Sequence, residues 1–289
     1  MSTLLRVGTF NIYNTTARYD IREGLLTTTI NNLDLDILSL QEVEQNQVDK
    51  FWKPPHFFAP LQTPITADED PTFQIDGNCI LHHDLSFWSV VEDSQKIEHI
   101  SKNRNCQLVE ITNKAGNVYI ANTHLHWAAD PLGLSTREDA VIRNEQLRKV
   151  LLFITDSIPS DSNISILLCG DFNIYFSDET IYQSITDAGF SSCYREKHGH
   201  DVITVPTPLE APTIHAEASV EQKADYIFLK TPPSCPYNIS VDDCFLAANK
   251  PSPSDPTLYP SDHYALIANL SIKKKIEILE NGSHSLYTQ

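Results

Sequence analysis

The chain has 289 residues, 41% of them apolar, and 38 Asp plus Glu outweigh 21 Lys plus Arg to give a formal charge of −17. That apolar share builds a buried core and excludes a disordered chain. The charge argues against a protein that holds long nucleic acid on a broad basic surface, since such binding sets many Lys and Arg against phosphates. No apolar run approaches the roughly 20 residues of a membrane span. The N-terminus passes directly into Leu4-Leu5-Arg6-Val7 with no apolar leader, so a soluble, cytoplasmic protein without stable membrane insertion is expected. Cys79, Cys106, Cys169, Cys193, Cys235 and Cys244 form no CxxC pair, which speaks against a zinc ribbon and predicts buried, reduced thiols.

In chain order, Leu4 to Ile12 reads as a strand. Ile21, Leu25, Ile30 and Leu33 recur at helical spacing and predict a helix over 18–33. Asp36 to Gln41 is a strand with Glu42 at its end, and 44–51 suits a short helix before Pro54-Pro55. Residues 56–77, rich in Pro, Asp and Thr, read as a long loop. Residues 79–81 and 87–91 look like paired strands, as do 106–112 and 117–122 across the turn 113–116. A loop over 123–135 carries Trp127. A long amphipathic helix is predicted from 136 to 158, with Val141, Leu147, Val150, Leu151 and Ile154 as core positions and with Arg143 and Arg148 as surface charges. The apolar strand 164–169 ends in Gly170-Asp171-Phe172-Asn173, and a helix over 178–188 stops at Gly189. Residues 195–222 show no clear period. A strand over 225–229 precedes a Pro-rich loop, 230–260, with one strand around Val241, and 264–272 forms the last strand. Without repeats or a dividing linker, 1–273 is expected to be one catalytic domain and 274–289 a polar tail.

Polar groups stand at the ends of these apolar runs: Asn11, Gln41-Glu42, Asn122-Thr123-His124, Asp171 and Asn173, Asp225, and Ser261-Asp262-His263. Each alone suits ordinary turn chemistry. Together they supply carboxylates, amides and imidazoles, the set that hydrolysis of a phosphate ester needs. Glu42 beside Asn11 suits a hard divalent cation, which offsets negative charge without competing for protons. Asp171 suits deprotonation of a water. Asn173, His124 and a charged His263 suit the developing anion, and Asp225 suits a carboxylate that fixes the tautomer of His263.

The motifs Thr9-Phe10-Asn11, Leu40-Gln41-Glu42-Val43, Asn122-Thr123-His124-Leu125, Gly170-Asp171-Phe172-Asn173, Ala224-Asp225-Tyr226-Ile227-Phe228 and Ser261-Asp262-His263 resemble, in order and spacing, those of the endonuclease/exonuclease/phosphatase superfamily. The resemblance implies an α/β four-layer sandwich, two packed mixed β-sheets flanked by helices. It implies Asn11, Glu42 and Asp262 near a metal, Mg²⁺ with Mn²⁺ as a substitute, and His124 on the phosphate. It further implies Asp171 and Asn173 at the attacking water and transition state, with Asp225 orienting His263. Residues 122–127 with Asp130-Pro131 are similar to the deadenylase branch, the carbon-catabolite-repression and nocturnin-like exonucleases. Thr123-His124-Leu125-His126 and 167–171 are also similar to the neutral sphingomyelinases.

The expected substrate is therefore a phosphate ester, such as a short single-stranded nucleic acid or a nucleotide. A lipid- or inositol-phosphate is the alternative, and a non-catalytic binding module is the third reading. Trp127 can stack a base next to His124 or pack its loop onto a helix, and His126 can reach substrate if the strand continues or stand as an ordinary exposed histidine. Arg104 and Asn105 precede a strand and can touch the phosphate, though a solvated turn is the better reading, and the pair His82-His83 is set aside because adjacent strand residues face opposite ways.

Overall fold

The structure, a computed structural model, describes residues 2–13, 19–44, 47, 48, 50, 56–60, 76–83, 86–101, 104–127, 135–175, 179–209 and 221–275. Its strands are β1 (Ser2–Asn11), β2 (Ile37–Glu44), β3 (His56–Pro60), β4 (Asp76–His82), β5 (Ser89–Val90), β6 (Lys96–Ser101), β7 (Arg104–Asn113), β8 (Gly116–His124), β9 (Ser165–Asp171), β10 (Ser191–Ser192), β11 (Asp225–Lys230), β12 (Tyr237–Ala247) and β13 (Ala265–Lys274). The helices are α1 (Tyr19–Asn32), α2 (Arg137–Ser157), α3 (Ile181–Asp187) and α4 (Cys193–His198). No described helix is long and apolar enough to cross a membrane.

The strands form two mixed sheets. One runs β12-β13-β1-β2-β4-β3, and the other β10-β11-β9-β8-β7-β5, with β6 also on β7. β1 is parallel to β2 and β8 is parallel to β9, while the remaining pairs are antiparallel. Period-2 alternation sends one side chain set of each strand inward, so Leu5, Val7, Ile37 and Ile80 meet Val109, Ile111, Ile120 and Leu167 between the sheets. The opposite faces are covered by helices. Leu26 and Ile30 of α1 pack on Phe10, Leu38 and Leu40, and Leu147, Val150 and Ile154 of α2 pack on Leu108, Ala121 and Leu168. These three clusters are the interfaces of a four-layer α/β sandwich, as expected. α2 begins on a capping box: the Thr136 hydroxyl accepts from Asp139 N while the Asp139 carboxylate accepts from Thr136 N.

Several readings need correction. The segment around 87–91 contributes only the two-residue β5, which pairs with β7; β4 instead pairs with β2 and β3. β3 lies in the stretch read as loop, and β6 and α4 lack a periodic signature long enough to register. The strand around Val241 extends over eleven residues, because β13 provides a full antiparallel partner that its exposed Asp and Ser positions do not advertise. Val141 is exposed, whereas Arg143 is fully buried. The proposed helix over 44–51 and the loop 61–75 fall largely outside the described residues, as does the tail beyond 275.

All six cysteines are free and buried. Burial pushes the Cys169 and Cys244 thiols up to about 12 and raises Cys79, Cys106 and Cys193 as well. Since the thiolate is the reactive species, a disulfide reagent at about pH 8 should label no cysteine of the native protein within minutes and all six after unfolding. Rapid native labelling would contradict this placement.

Candidate active site

The parallel strands β1, β2, β8 and β9 all point their C-terminal ends to the same end of the sandwich, and β11 and β13 begin there. Asn11, Glu42, His124 and Asp171 end or nearly end the first four strands. Asp225 starts β11, and Asp262 and His263 immediately precede β13. Edge-free strand ends are a rigid mount for such groups.

Three local devices aim them. The β2–β4 register slips between Leu40 and Val43, a bulge that holds Glu42 at φ 57°. Without the bulge, Gln41 and Glu42 would simply alternate between the sheet faces. With it, Gln41 joins a buried network between the sheets, donating to Asn122 Oδ1 at 2.8 Å, while Glu42 turns to Asn11. Gly170 has φ 148°, and a Cβ there would come within 2.0 Å of the Thr123 carbonyl oxygen. Only glycine lets β9 approach β8 this closely just before Asp171, which is paired with His124. Asn173, at φ 49°, is a third residue held in a sparsely populated backbone region, a type of strain that concentrates at functional sites.

The side chains converge on Asp171. Asn11 Nδ2 donates to Asp171 Oδ2 at 2.9 Å and to Glu42 Oε1 at 3.1 Å. Asp171 Oδ1 accepts from Asn173 N at 2.9 Å. His124 Nε2 and His263 Nε2 stand 3.5 and 3.9 Å from the same oxygen, Asp171 Oδ2. Asn173 Nδ2 donates to Leu125 O and to His124 Nε2, both at 3.1 Å, which makes that ring nitrogen an acceptor. His263 Nδ1 lies 2.8 Å from Asp225 Oδ2, while Asp225 Oδ1 is buried with no hydrogen-bond partner among the described residues. Asp171, Asp225 and His263 thus offer three donor atoms within 4.8 Å of one another.

The charge states follow from burial and neighbours. Burial raises Glu42, and the charge of Asp262 adds to it against the pull of Asn11, His263 and Arg104. Burial likewise raises Asp262 against His263 and Arg22. Burial, then the charge of Asp225, pushes Asp171 up to about 7. Burial and Arg104 hold His124 well below the usual imidazole range, so the ring is neutral. For His263 burial acts downward, but Asp225, Asp262 and Asp171 outweigh it and hold the ring well above the ordinary range.

Eight expected site residues are therefore brought together: Asn11, Glu42, His124, Asp171, Asn173, Asp225, Asp262 and His263. His126 and Trp127 flank them. The His126 ring turns to α2, its Nε2 2.6 Å from Asp139 Oδ1, and the half-buried Trp127 gives its carbonyl to Arg143. Sequence reading missed the supports. Fully buried Arg22 donates to the carbonyls of Ile12, Tyr13 and Pro260, tying the end of β1 to the segment before Asp262. The Ser261 hydroxyl donates to Asn11 O at 2.8 Å and accepts from His263 N at 3.1 Å. The Thr204 hydroxyl accepts from Ala224 N and Asp225 N. Arg104, read as a turn, is the first residue of β7, and its Nε donates to Leu125 O at 3.0 Å. Nothing in the sequence around Arg22 or Thr204 separates such a support from a surface residue; only the fold does.

Comparison with known proteins follows the same residues. A model of the Endonuclease/Exonuclease/phosphatase family matches residues 8–263. The chain is 24% identical over 308 residues to the CCR4-Not complex 3'-5'-exoribonuclease subunit Ccr4 of Candida albicans, covering 89% of this chain but 38% of that protein. The Saccharomyces cerevisiae Ccr4 subunit is 24% identical over 212 residues, 63% of this chain and 25% of that one. The chain thus spans well under half the length of these relatives. In structure it is similar to D. rerio TDP2 complexed with single strand DNA product, with TM-score 0.67, 18% identity, and 93% and 99% of the two chains covered. It is also similar to the human Nocturnin catalytic domain with bound sulfate anion, with TM-score 0.65, 19% identity and 93% and 94% covered. The chain belongs to the endonuclease/exonuclease/phosphatase family of hydrolytic enzymes.

Proposed function

We propose that this enzyme is a divalent-cation-dependent phosphodiesterase that acts on nucleic acid or nucleotides. The observation that carries the reading is Asp171: a buried carboxylate with a raised pKa, with two imidazoles within 4 Å of one of its oxygens and bonds from two asparagines. That is the environment of a general base poised near neutrality.

Glu42 and Asp262 fit a hard cation. Both are half-buried carboxylates, the charge of Asp262 disfavours ionisation of Glu42, and among the described residues no Lys or Arg forms an ion pair with either. The more compact group of Asp171, Asp225 and His263 suits an ion less well, because the proton held by His263 already balances charge there. Glu42 and Asp262, with the Asn11 side chain beside them, would hold Mg²⁺, or Mn²⁺ in its place. The ion supplies Lewis-acid relief of negative charge on the phosphate. Asp171 then takes the proton of the attacking water. Neutral His124 and the Asn173 amide line the phosphate, and charged His263, oriented by Asp225, donates toward the developing anion.

The nucleic-acid reading draws support from the relatives named as exoribonucleases and from the single-stranded DNA held by a protein of the same fold. A lipid surface would call for apolar side chains projecting near the site. Residues 231–260, which include β12, carry no exposed large hydrophobic residue.

The test is hydrolysis of a panel comprising short RNA, short DNA, a small chromogenic phosphodiester, sphingomyelin and phosphoinositides, with Mg²⁺ and with excess chelator. Metal-dependent cleavage of an oligonucleotide is expected. Trp127→Ala should weaken oligonucleotide binding by roughly 1–3 kcal/mol, the size of a base–aromatic stack, and leave the small diester nearly unchanged. Cleavage that persists in chelator, or activity confined to lipids, would overturn the reading. In a second experiment, Asp225→Asn, His263→Ala and the double variant should lose similar amounts of kcat, as groups acting as a unit do. Additive losses would show that the 2.8 Å contact carries no joint function.

A further inference from the structure

Helix α2 carries a buried polar face that hydrolytic chemistry does not use directly. Asp139, Arg143 and Gln146, spaced four and three residues apart, are 1%, 0% and 4% exposed. The Arg143 guanidinium pairs two-pronged with Glu179, Nε to Oε2 at 2.9 Å and Nη2 to Oε1 at 2.7 Å. Its Nη1 donates to the carbonyls of Trp127 at 2.7 Å and His126 at 3.4 Å. Glu179 Oε1 also accepts from Tyr175 N at 3.0 Å. Asp139 holds the His126 ring, and Gln146 Oε1 accepts from His126 N at 2.7 Å. One helix face therefore grips both the segment that leaves His124 and the loop that leaves Asn173.

A fully buried ion pair is a weak source of stability, because removing two charges from water costs about what their attraction returns. What the pair supplies here is a fixed distance between two loops. Asn173 Nδ2 divides its two hydrogens between His124 Nε2 and Leu125 O, so a small shift of either loop breaks one of these bonds. We propose that Arg143, acting through Glu179, is a positioning residue that locks Asn173 against His124. The kinetic consequence rests on the phosphodiesterase reading; the structural consequence rests on the Asn173–His124 geometry alone.

The experiment replaces the pair by apolar groups of similar volume, Arg143→Met with Glu179→Leu, which keeps packing without a buried lone charge. Arg143→Lys, which keeps the charge but loses the fork, serves as the conservative variant. Melting temperature, His124 imidazole resonances without substrate, and kcat and KM on the small chromogenic diester with Mg²⁺ are measured for each. The double variant is expected to melt within a few degrees of wild type, with His124 resonances shifted. Its kcat should fall roughly 10- to 100-fold, the scale for an ångström-sized misplacement, with KM little changed. Arg143→Lys should recover part of both signals. A folded double variant with wild-type His124 resonances and wild-type kcat would overturn the proposal. If the double variant fails to fold, Arg143→Lys decides: unchanged resonances and kcat in that variant also overturn it. If wild type cleaves no phosphodiester, the functional reading fails and the resonances alone decide the positioning role.

Discussion

Everything at this end of the sandwich answers to one constraint: four carboxylates, the buried Asp171 and Asp225 and the half-buried Glu42 and Asp262, are gathered so that the charge of Asp225 bears on Asp171 and that of Asp262 on Glu42. Isolated ionised carboxylates in such a place are very costly, so each must be paired, protonated or joined to a cation. The partners within the chain fall short of four. His263 is drawn to a high pKa by three of the carboxylates, Asn11 bridges two of them with one amide, and Arg22 and Arg104 act from a distance while bonded to backbone carbonyls. On the proposed reading, the remaining negative charge is what would give the site affinity for a divalent ion and, through it, for an anionic substrate.

The scaffold pays for this arrangement in backbone strain and in buried polar bonds. The bulge at Gln41-Glu42, the glycine that brings β9 against β8, and Asn173 in the left-handed region each sacrifice regular strand geometry to aim one group. Arg22, Ser261 and Thr204 then tie strand ends that are distant in sequence. Behind them, the Asp139–Arg143–Gln146 face of α2 steadies the loops after β8 and β9. The layered core of three apolar clusters fixes the strands themselves, so the strained ends are carried by a rigid body.

The amino-acid sequence made the long regular elements legible, because apolar periodicity is a direct record of burial: β1, β2, β8, β9, β11, β13, α1 and α2 all lie close to their expected bounds. The candidate constellation was legible for a different reason, since Asn11, Glu42, His124, Asp171, Asn173, Asp225, Asp262 and His263 each sit where an apolar run stops. Short edge strands such as β5 and β6 were not, because pairing to β7 rather than a hydrophobic pattern defines them. Arg143 is the clearest failure. A charge on an amphipathic helix is ordinarily solvated, and the partner that makes its burial tolerable, Glu179, is 36 residues away. Pairings at that separation leave no trace in local periodicity.

The claim that clustered carboxylates create a cation site is tested most directly by thermal unfolding of the substrate-free protein against Mg²⁺ concentration. An ion that binds only the folded state raises stability with its concentration, by about 2.7 kcal/mol at a hundred times its dissociation constant. Because the Glu42 pKa is raised on folding, its ionised form costs stability at neutral pH, and Glu42→Gln removes that cost. The account predicts that wild-type melting temperature rises with Mg²⁺, that Glu42→Gln melts higher than wild type in chelator, and that Glu42→Gln with Asp262→Asn no longer responds to the ion. A wild-type melting temperature indifferent to Mg²⁺, or an undiminished response in the double variant, would contradict it.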